Sequence, residues 1–271
     1  MYEIGLIGCG NMGAAIAQAV AETVDAGQIL LSNRTEEKAK ALAKKLGADY
    51  GSNEEVAENC RYIFLGVKPG QMEEVLSPLK DILEKRDDFI LVTMAAGLSI
   101  AEMKRMAGKN CPVIRIMPNT PVSIGKGMIL CCASEEVSET DETEFRRFMD
   151  ACGCVDTLPE ELMDAGCALS GCGPAYVYMF IEAMADGGVS CGLPREKALV
   201  YACQTLIGAA SLVMTSGQHP EALKDQVCSP GGSTIAGVNA LEEDGFRGDV
   251  MDGVKAAYDR TIQMNNSSKE E

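Results

Sequence analysis

Histidine is nearly missing from this chain: His219 is the only one among 271 residues. A single imidazole leaves few nitrogen ligands for a metal ion. The 12 cysteines form no C-x-x-C pair, since Cys152 and Cys154 are separated by one residue, and no structural metal site is expected. Basic residues are scarce: 24 Lys and Arg face 40 Asp and Glu, a formal net charge of −16. Nucleic-acid backbones and anionic membrane surfaces would repel such a chain, which excludes both as partners. No apolar run reaches the roughly 20 residues that a bilayer-spanning helix needs. Neither a basic leader nor a cleavage site precedes the first strand-like segment, so a soluble cytoplasmic protein is expected. Internal repeats and low-complexity segments are also lacking. Disulfide staples are not expected, because the cysteines sit inside apolar runs. Cys131 and Cys132 follow Ile129 and Leu130, and Cys203 lies between Tyr201 and Ile207. There they read as small buried hydrophobes.

What is present starts at the first residues. An apolar run from Ile4 to Ile7 reads as a buried strand and breaks at Gly8. Gly8-Cys9-Gly10-Asn11-Met12-Gly13 has G-x-G-x-x-G spacing, and Ala14 to Val20 continue as a small-residue helix. Strand, glycine turn and helix in that order are the context a dinucleotide fingerprint requires. The first glycine permits the turn, the second lets backbone approach a pyrophosphate, and the third lets helix pack on strand. Free N–H groups at the helix start then face the phosphates. The alternative is a glycine-rich turn with a structural role only.

The chain is long enough for two domains. Strands predicted at Ile29–Ser32, Asp49–Tyr50, Arg61–Val67, Phe89–Thr93 and Pro112–Met117 alternate with helices predicted at 35–46, 53–59, 71–83 and 99–106. Thr35 is expected to cap the first of these and Ser52 or Asn53 the second. Alternation at these lengths implies a parallel sheet covered on both faces. Two further strands, 128–133 and 154–157, flank a helix over 141–149. After Pro159 only helices are predicted: 160–168, 175–189, 195–215, 220–227, 234–243 and 246–264. The polar tail, 265–271, is expected to fray. The expected fold is an α/β Rossmann-type N-terminal domain with a mostly parallel sheet, residues 1–158, followed by an all-α C-terminal domain, residues 159–271. The stretch from Lys197 to Met214 is apolar nearly all round and must be covered on every side. A second subunit would do this, so a homodimer through the C-terminal half is expected.

Dinucleotide folds that bind NAD place an acid at the end of the second strand to hold the ribose 2′-OH. Here that strand ends Ser32-Asn33-Arg34, with no acid. Arg34 offers a guanidinium fork for a 2′-phosphate, and Ser32 and Asn33 offer neutral donors. NADP(H) is favoured, with NAD(H) the alternative; a merely solvated Arg34 would remove the preference. In the second half, Leu169–Ala175 and Ser229-Pro230-Gly231-Gly232-Ser233-Thr234 are glycine-rich segments that open helices. A helix start flanked by hydroxyls suits a small carboxylate, although each alone also reads as a capped turn.

These residues carry a resemblance. The chain resembles the pyrroline-5-carboxylate reductases, which catalyse the last step of proline synthesis. The matching segments are the Gly8–Gly13 turn, Val67-Lys68-Pro69, Ala95-Ala96-Gly97, Met117–Pro121, Leu169–Tyr176, Ala185–Gly188 with Gly192–Pro194, and Leu223–Asp225 with Ser229–Thr234. The resemblance implies NAD(P)H on the N-terminal domain and a helical domain that interlocks with a partner's, in dimers that often form decamers. It implies the cyclic imine 1-pyrroline-5-carboxylate as substrate, its carboxylate held at Ser229, Gly232, Ser233 and Thr234. It places Asn53, Val67, Lys68, Pro69 and Ala95-Ala96-Gly97 near the cofactor, and Asn119 and Pro121 beside the nicotinamide.

The chain departs from the pattern at Cys167, where the family commonly has a Thr considered as a proton donor, and at Cys172, where a Ser is common. A thiol is the weaker donor. A cyclic imine can be protonated before it binds, so hydride transfer needs positioning more than an acid–base pair. Cys167 is the candidate catalytic group, as a tuning residue, and His219 is expected to be a helix-start residue. Rival readings are a related imine or 3-hydroxyacid oxidoreductase using NADP, and a non-catalytic NADP-sensing module. A 3-hydroxyacid dehydrogenase would carry an Asn three residues after its helix Lys, which Lys224-Asp-Gln-Val lacks.

Overall fold

Residues 1–267 are described by the computed structural model. The chain divides into two compact units: Met1–Cys172 together with the C-terminal stretch from Ala257, and Gly173–Ala256. In chain order the first unit contains β1 (Tyr2–Ile7), α1 (Asn11–Val20), β2 (Ile29–Ser32), α2 (Glu36–Leu46), β3 (Asp49–Tyr50), α3 (Asn53–Asn59) and β4 (Cys60–Leu65). It continues with α4 (Met72–Leu76), α5 (Lys80–Glu84), β5 (Ile90–Thr93), α6 (Ile100–Ala107), β6 (Val113–Met117), β7 (Gly127–Ala133), α7 (Glu139–Met149), β8 (Gly153–Thr157) and α8 (Met163–Gly166).

The eight strands form one sheet in the order β3-β2-β1-β4-β5-β6-β7-β8. Every pairing is parallel except β6 with β7. Side chains alternate across the pleat, and each face has its own core. Leu6, Phe64, Val92 and Ile116 point to the side covered by α1, α2 and α7, where they meet Ile16, Leu42, Phe145 and Phe148. Ile7, Leu65, Leu91 and Val113 point to the other, against Val56, Met72, Leu76 and Met103. Burial on both faces is why these strands read as unbroken apolar runs. The mostly parallel, doubly covered sheet is the one expected.

Local chemistry sets the element ends. Ser52 and Ser99 each accept the N–H three residues on, and Glu55 and Glu102 reciprocate, so α3 and α6 start with capping boxes. Thr35 stands at the N-cap of α2, but its side chain makes no capping bond, contrary to expectation. The helix expected over 71–83 is broken: Pro78 has no N–H to donate, and a 3-10 turn at Ser77–Leu79 separates α4 from α5. Cys9, Cys60, Cys111, Cys131, Cys132 and Cys152 are buried free thiols. The first unit carries on past Pro159 because Arg115 on β6, 5% exposed, pairs with Glu160 at 3.4 Å and Asp164 at 3.2 Å.

The second unit holds α9 (Gly173–Ser190), α10 (Arg195–Ser216), α11 (Pro220–Val227), α12 (Ser233–Glu243) and the first part of α13 (Phe246–Ser267). Gly188 on α9 meets Ala198 on α10, where a Cβ at Gly188 would stand 3.2 Å from that of Ala198, and Ala185 on α9 and Ala202 on α10 are buried as well. Small residues let these two backbones close together. Little else is covered, and Val200, Ile207 and Met214 are all more than half exposed. Contrary to expectation, α10 is by length and composition apolar enough to cross a membrane, with mean hydropathy 1.6 and 11% of its apolar window buried. Gln204, Thr205 and Ser211 interrupt the apolar run without lowering its mean enough to matter. Of the tail expected to fray, 265–267 continue α13, and 268–271 lie outside the described residues.

Candidate functional site

The strand order reverses direction of growth between β1 and β4, and open α/β sheets bind ligands at the carboxyl ends of the strands flanking such a point. Gly8 follows β1 with φ +104° and donates its N–H to Ser32 O at 2.8 Å. A Cβ on Gly13 would lie 2.1 Å from Gly8 O, so only glycine lets α1 sit this close to the turn. Gly66, just after β4, completes the contact: its N–H donates to Ile7 O at 2.8 Å, and a Cβ there would lie 2.5 Å from Gly8 O. Sequence reasoning missed Gly66, although a glycine ending the apolar run Ile63-Phe64-Leu65 was the available signal. Gly10 behaves differently. It is the N-cap of α1, no side chain caps that helix start, and nothing stands within 4 Å of where its Cβ would be. No protein atom demands glycine at Gly10; the open space in front of it is what a backbone-hugging pyrophosphate requires. Asn11 is exposed and Met12 packs on the core.

A cleft of about 450 Å³ opens beside this turn, with Gly8, Gly10, Asn33, Arg34, Lys38, Asn53, Val67 and Lys68 in its walls. Asn33 Oδ1 accepts the Cys9 N–H at 2.9 Å, and its Nδ2 donates to Thr35 O at 3.0 Å. Ser32, 3% exposed, donates to Asn53 Oδ1 at 2.7 Å. Both side chains are therefore already bonded within the protein, and they brace the glycine turn against α3. Burial pushes the Cys9 thiol up to about 11. Arg34 and Lys38 are exposed, and among the described residues neither forms a salt bridge. Lys38 also escaped the sequence reading.

The remaining expected cofactor positions follow along the same edge. Pro69 opens a 3-10 turn after Lys68. Ala95-Ala96-Gly97 turns after β5, with Ala95 N–H on Thr93 Oγ1 at 3.3 Å and Gly97 at φ +81°. Asn119 follows β6, and Pro121 sits in the 3-10 turn Thr120–Ile124. Asn119, 9% exposed, accepts the Met128 N–H at 2.9 Å and donates to Ser170 O at 3.0 Å. It thereby bolts the turn holding Cys167 to the carboxyl edge of the sheet. That turn, Cys167–Gly171, is a π-turn, with Cys172 N–H on Cys167 O at 3.0 Å. The Leu169–Ala175 segment, expected as an open loop, is therefore helical and has no free helix start. Burial, with Cys172 and Asp164 nearby, pushes the Cys167 thiol up to about 11, so it stays protonated at neutral pH.

In the second unit, Gly232 N–H donates to Ser229 O at 3.0 Å, closing a Pro230-Gly231 turn with Gly231 at φ +68°. Gly232 is the N-cap of α12, which no side chain caps, and Ser233 and Thr234 are exposed in its first turn. A Cβ on Gly232 would strike Ser229 Oγ at 2.4 Å, so glycine here makes room for that hydroxyl. His219 is the N-cap of α11, its Nδ1 accepting the Glu221 N–H at 3.2 Å. Among the described residues, no three His, Cys, Asp or Glu side chains gather as a metal site.

Residues 160–264 match the family model for pyrroline-5-carboxylate reductase dimerisation, and residues 3–97 match that for NADP oxidoreductase, coenzyme F420-dependent. The pyrroline-5-carboxylate reductase of Escherichia coli (strain K12) is 38% identical over 268 residues, 98% of this chain and 99% of that one. The chain belongs to the pyrroline-5-carboxylate reductase family. The enzyme of Pisum sativum is 38% identical over 97% of this chain and 96% of its own. The Plasmodium falciparum pyrroline carboxylate reductase, solved with NADP bound, superposes with a TM-score of 0.87 at 33% identity, covering 97% of this chain and 98% of that one. The dimerisation match falls on the region whose apolar helices lie open, which supports association through the C-terminal half in this family member.

Proposed function

We propose that the chain is an NADPH-dependent pyrroline-5-carboxylate reductase, which reduces 1-pyrroline-5-carboxylate to L-proline in proline biosynthesis. Its 38% identity to a reductase of that name across 98% of the chain carries the reading. Residues 1–158 serve as the dinucleotide-binding domain and 159–271 as the helical substrate and dimerisation domain. When bound, NADPH supplies the hydride. The chain's own residues do the rest. The N–H groups of α1 behind Gly8, Gly10 and Gly13 take the pyrophosphate. Arg34 meets the 2′-phosphate, Ser32 and Asn33 brace the turn beneath it, and Asn53 and Val67–Pro69 line the cleft. Ala95–Gly97, Asn119 and Pro121 form the nicotinamide end of the edge. Ser229, Gly232, Ser233 and Thr234 hold the substrate carboxylate at the uncapped start of α12. The imine nitrogen arrives protonated, so no side chain must deliver that proton. Cys167, kept as the neutral thiol, donates weakly and tunes the site.

The proposed assembly is a homodimer built through the helical domain, with a decamer as the larger form to be read by light scattering. The proposed compartment is the cytoplasm. NADPH oxidation against a panel of cyclic imino acids and 3-keto acids tests the reading. Turnover of 1-pyrroline-5-carboxylate above all others is expected; turnover of a 3-keto acid instead would overturn it. Ser233→Ala and Thr234→Ala should raise KM for the imine about tenfold each while leaving KM for NADPH unchanged.

A further inference from the structure

We infer that Lys38, together with Arg34, forms a two-cation clamp that makes this chain select NADP(H) over NAD(H), with Lys38 a specificity-determining residue in its own right. The inference rests on the proposal that the cleft beside Gly8–Gly13 is the dinucleotide site. Both side chains line that cleft, and both are exposed. Ser32 and Asn33, the neutral donors closest in sequence, are bonded to Asn53, Cys9 and Thr35. The recognition of a phosphate dianion therefore falls on charged groups that the protein leaves uncommitted.

Lys38 is out of place for any purpose of its own helix. It lies in the first turn of α2, at the positive end of the helix dipole, where a cation is disfavoured. Its neighbours on the same helical face, three and four residues away, are Thr35, Arg34, Ala41 and Leu42, so no acid stands at ion-pair spacing. Among the described residues it forms no salt bridge, although the carboxylates of Glu54 and Glu74 line the same cleft. A bound anion offsets both the dipole and the repulsion from Arg34. Phosphate suits the pair: the guanidinium gives a planar fork and the ammonium a mobile point charge.

Isothermal titration of the full chain with 2′,5′-ADP and with 5′-AMP reads the clamp without any turnover. Wild type should bind 2′,5′-ADP more tightly than 5′-AMP, and more weakly as salt rises. Lys38→Ala should weaken 2′,5′-ADP about tenfold, about 1.4 kcal/mol, and leave 5′-AMP within about twofold. Lys38→Glu should weaken 2′,5′-ADP further. Both variants should match or exceed the wild-type melting temperature, since an unfavourable first-turn cation is gone. If wild type does not discriminate between the two probes, the cofactor reading itself fails. If wild type discriminates and Lys38→Ala discriminates equally, the clamp is refuted and the cofactor reading stands.

Discussion

Alanine at Gly10 and alanine at Gly13 should part company. A Cβ on Gly13 would lie 2.1 Å from Gly8 O, a backbone atom, and real Cβ contacts essentially never fall below 3.0 Å. The turn or α1 must then move by at least about 0.9 Å, the difference between those two distances. Ile16, Ala17 and Val20 pack α1 into the core, so the shift breaks close packing. A cost at the upper end of overpacking, about 3 kcal/mol, should lower the melting temperature by roughly 6 °C in a chain of this size. Gly10 has φ −72° and ψ −173°, open to any L-residue, and no neighbour within 4 Å. Alanine there loses a little as an N-cap and gains a little by restricting the unfolded chain, a net change within about 1 kcal/mol. Its methyl group would instead occupy the approach of the pyrophosphate. Losing even one charge-assisted bond from the helix start weakens NADPH at least about tenfold. Differential scanning fluorimetry and fluorescence titration with NADPH read the two effects separately. Gly10→Ala with wild-type NADPH affinity would refute the placement of the cofactor; Gly13→Ala with wild-type melting would refute the packing.

Cys167→Ala should retain turnover within about tenfold, because positioning and not proton donation dominates; abolished kcat with NADPH binding and fold intact would refute this. Alkylation of Cys167 by iodoacetamide should be slow at neutral pH and accelerate as pH rises towards about 11, since burial holds the thiol protonated and only the thiolate reacts. Thiol mapping by mass spectrometry across pH checks it. Arg115→Ala strips a buried cation from Glu160 and Asp164. Both carboxylates keep some contact with water, so the loss should sit near the low end for a broken buried pair, about 3 kcal/mol, visible in urea unfolding. Ser52→Ala, which removes half of a capping box, should cost about 1 kcal/mol.

Much of the fold was legible in residue order alone. Apolar runs buried on both faces named the strands, Ser52 or Asn53 and Ser99 marked two helix starts, and the absence of an acid after β2 pointed to NADP(H). Local preferences and spacing suffice where the deciding contacts lie within a few residues of each other. Pro78 was equally local, yet the periodicity of 71–83 concealed its break. What distance in the chain concealed was different in kind. Gly66 matters because β4 lies beside β1, and sheet order cannot be read from a glycine. Asn33 and Ser32 read as free donors until the fold set Cys9 and Asn53 against them. Lys38 carried no signal in the sequence until the cleft brought it together with Arg34. Asn119 became a bolt only once Ser170, far along the chain, came to lie against it. Residue types and short spacings determined which elements form and which chemistry is present; only the tertiary structure decided which polar groups are already spent and which are left for a ligand, because a hydrogen bond's partner is chosen by proximity in space.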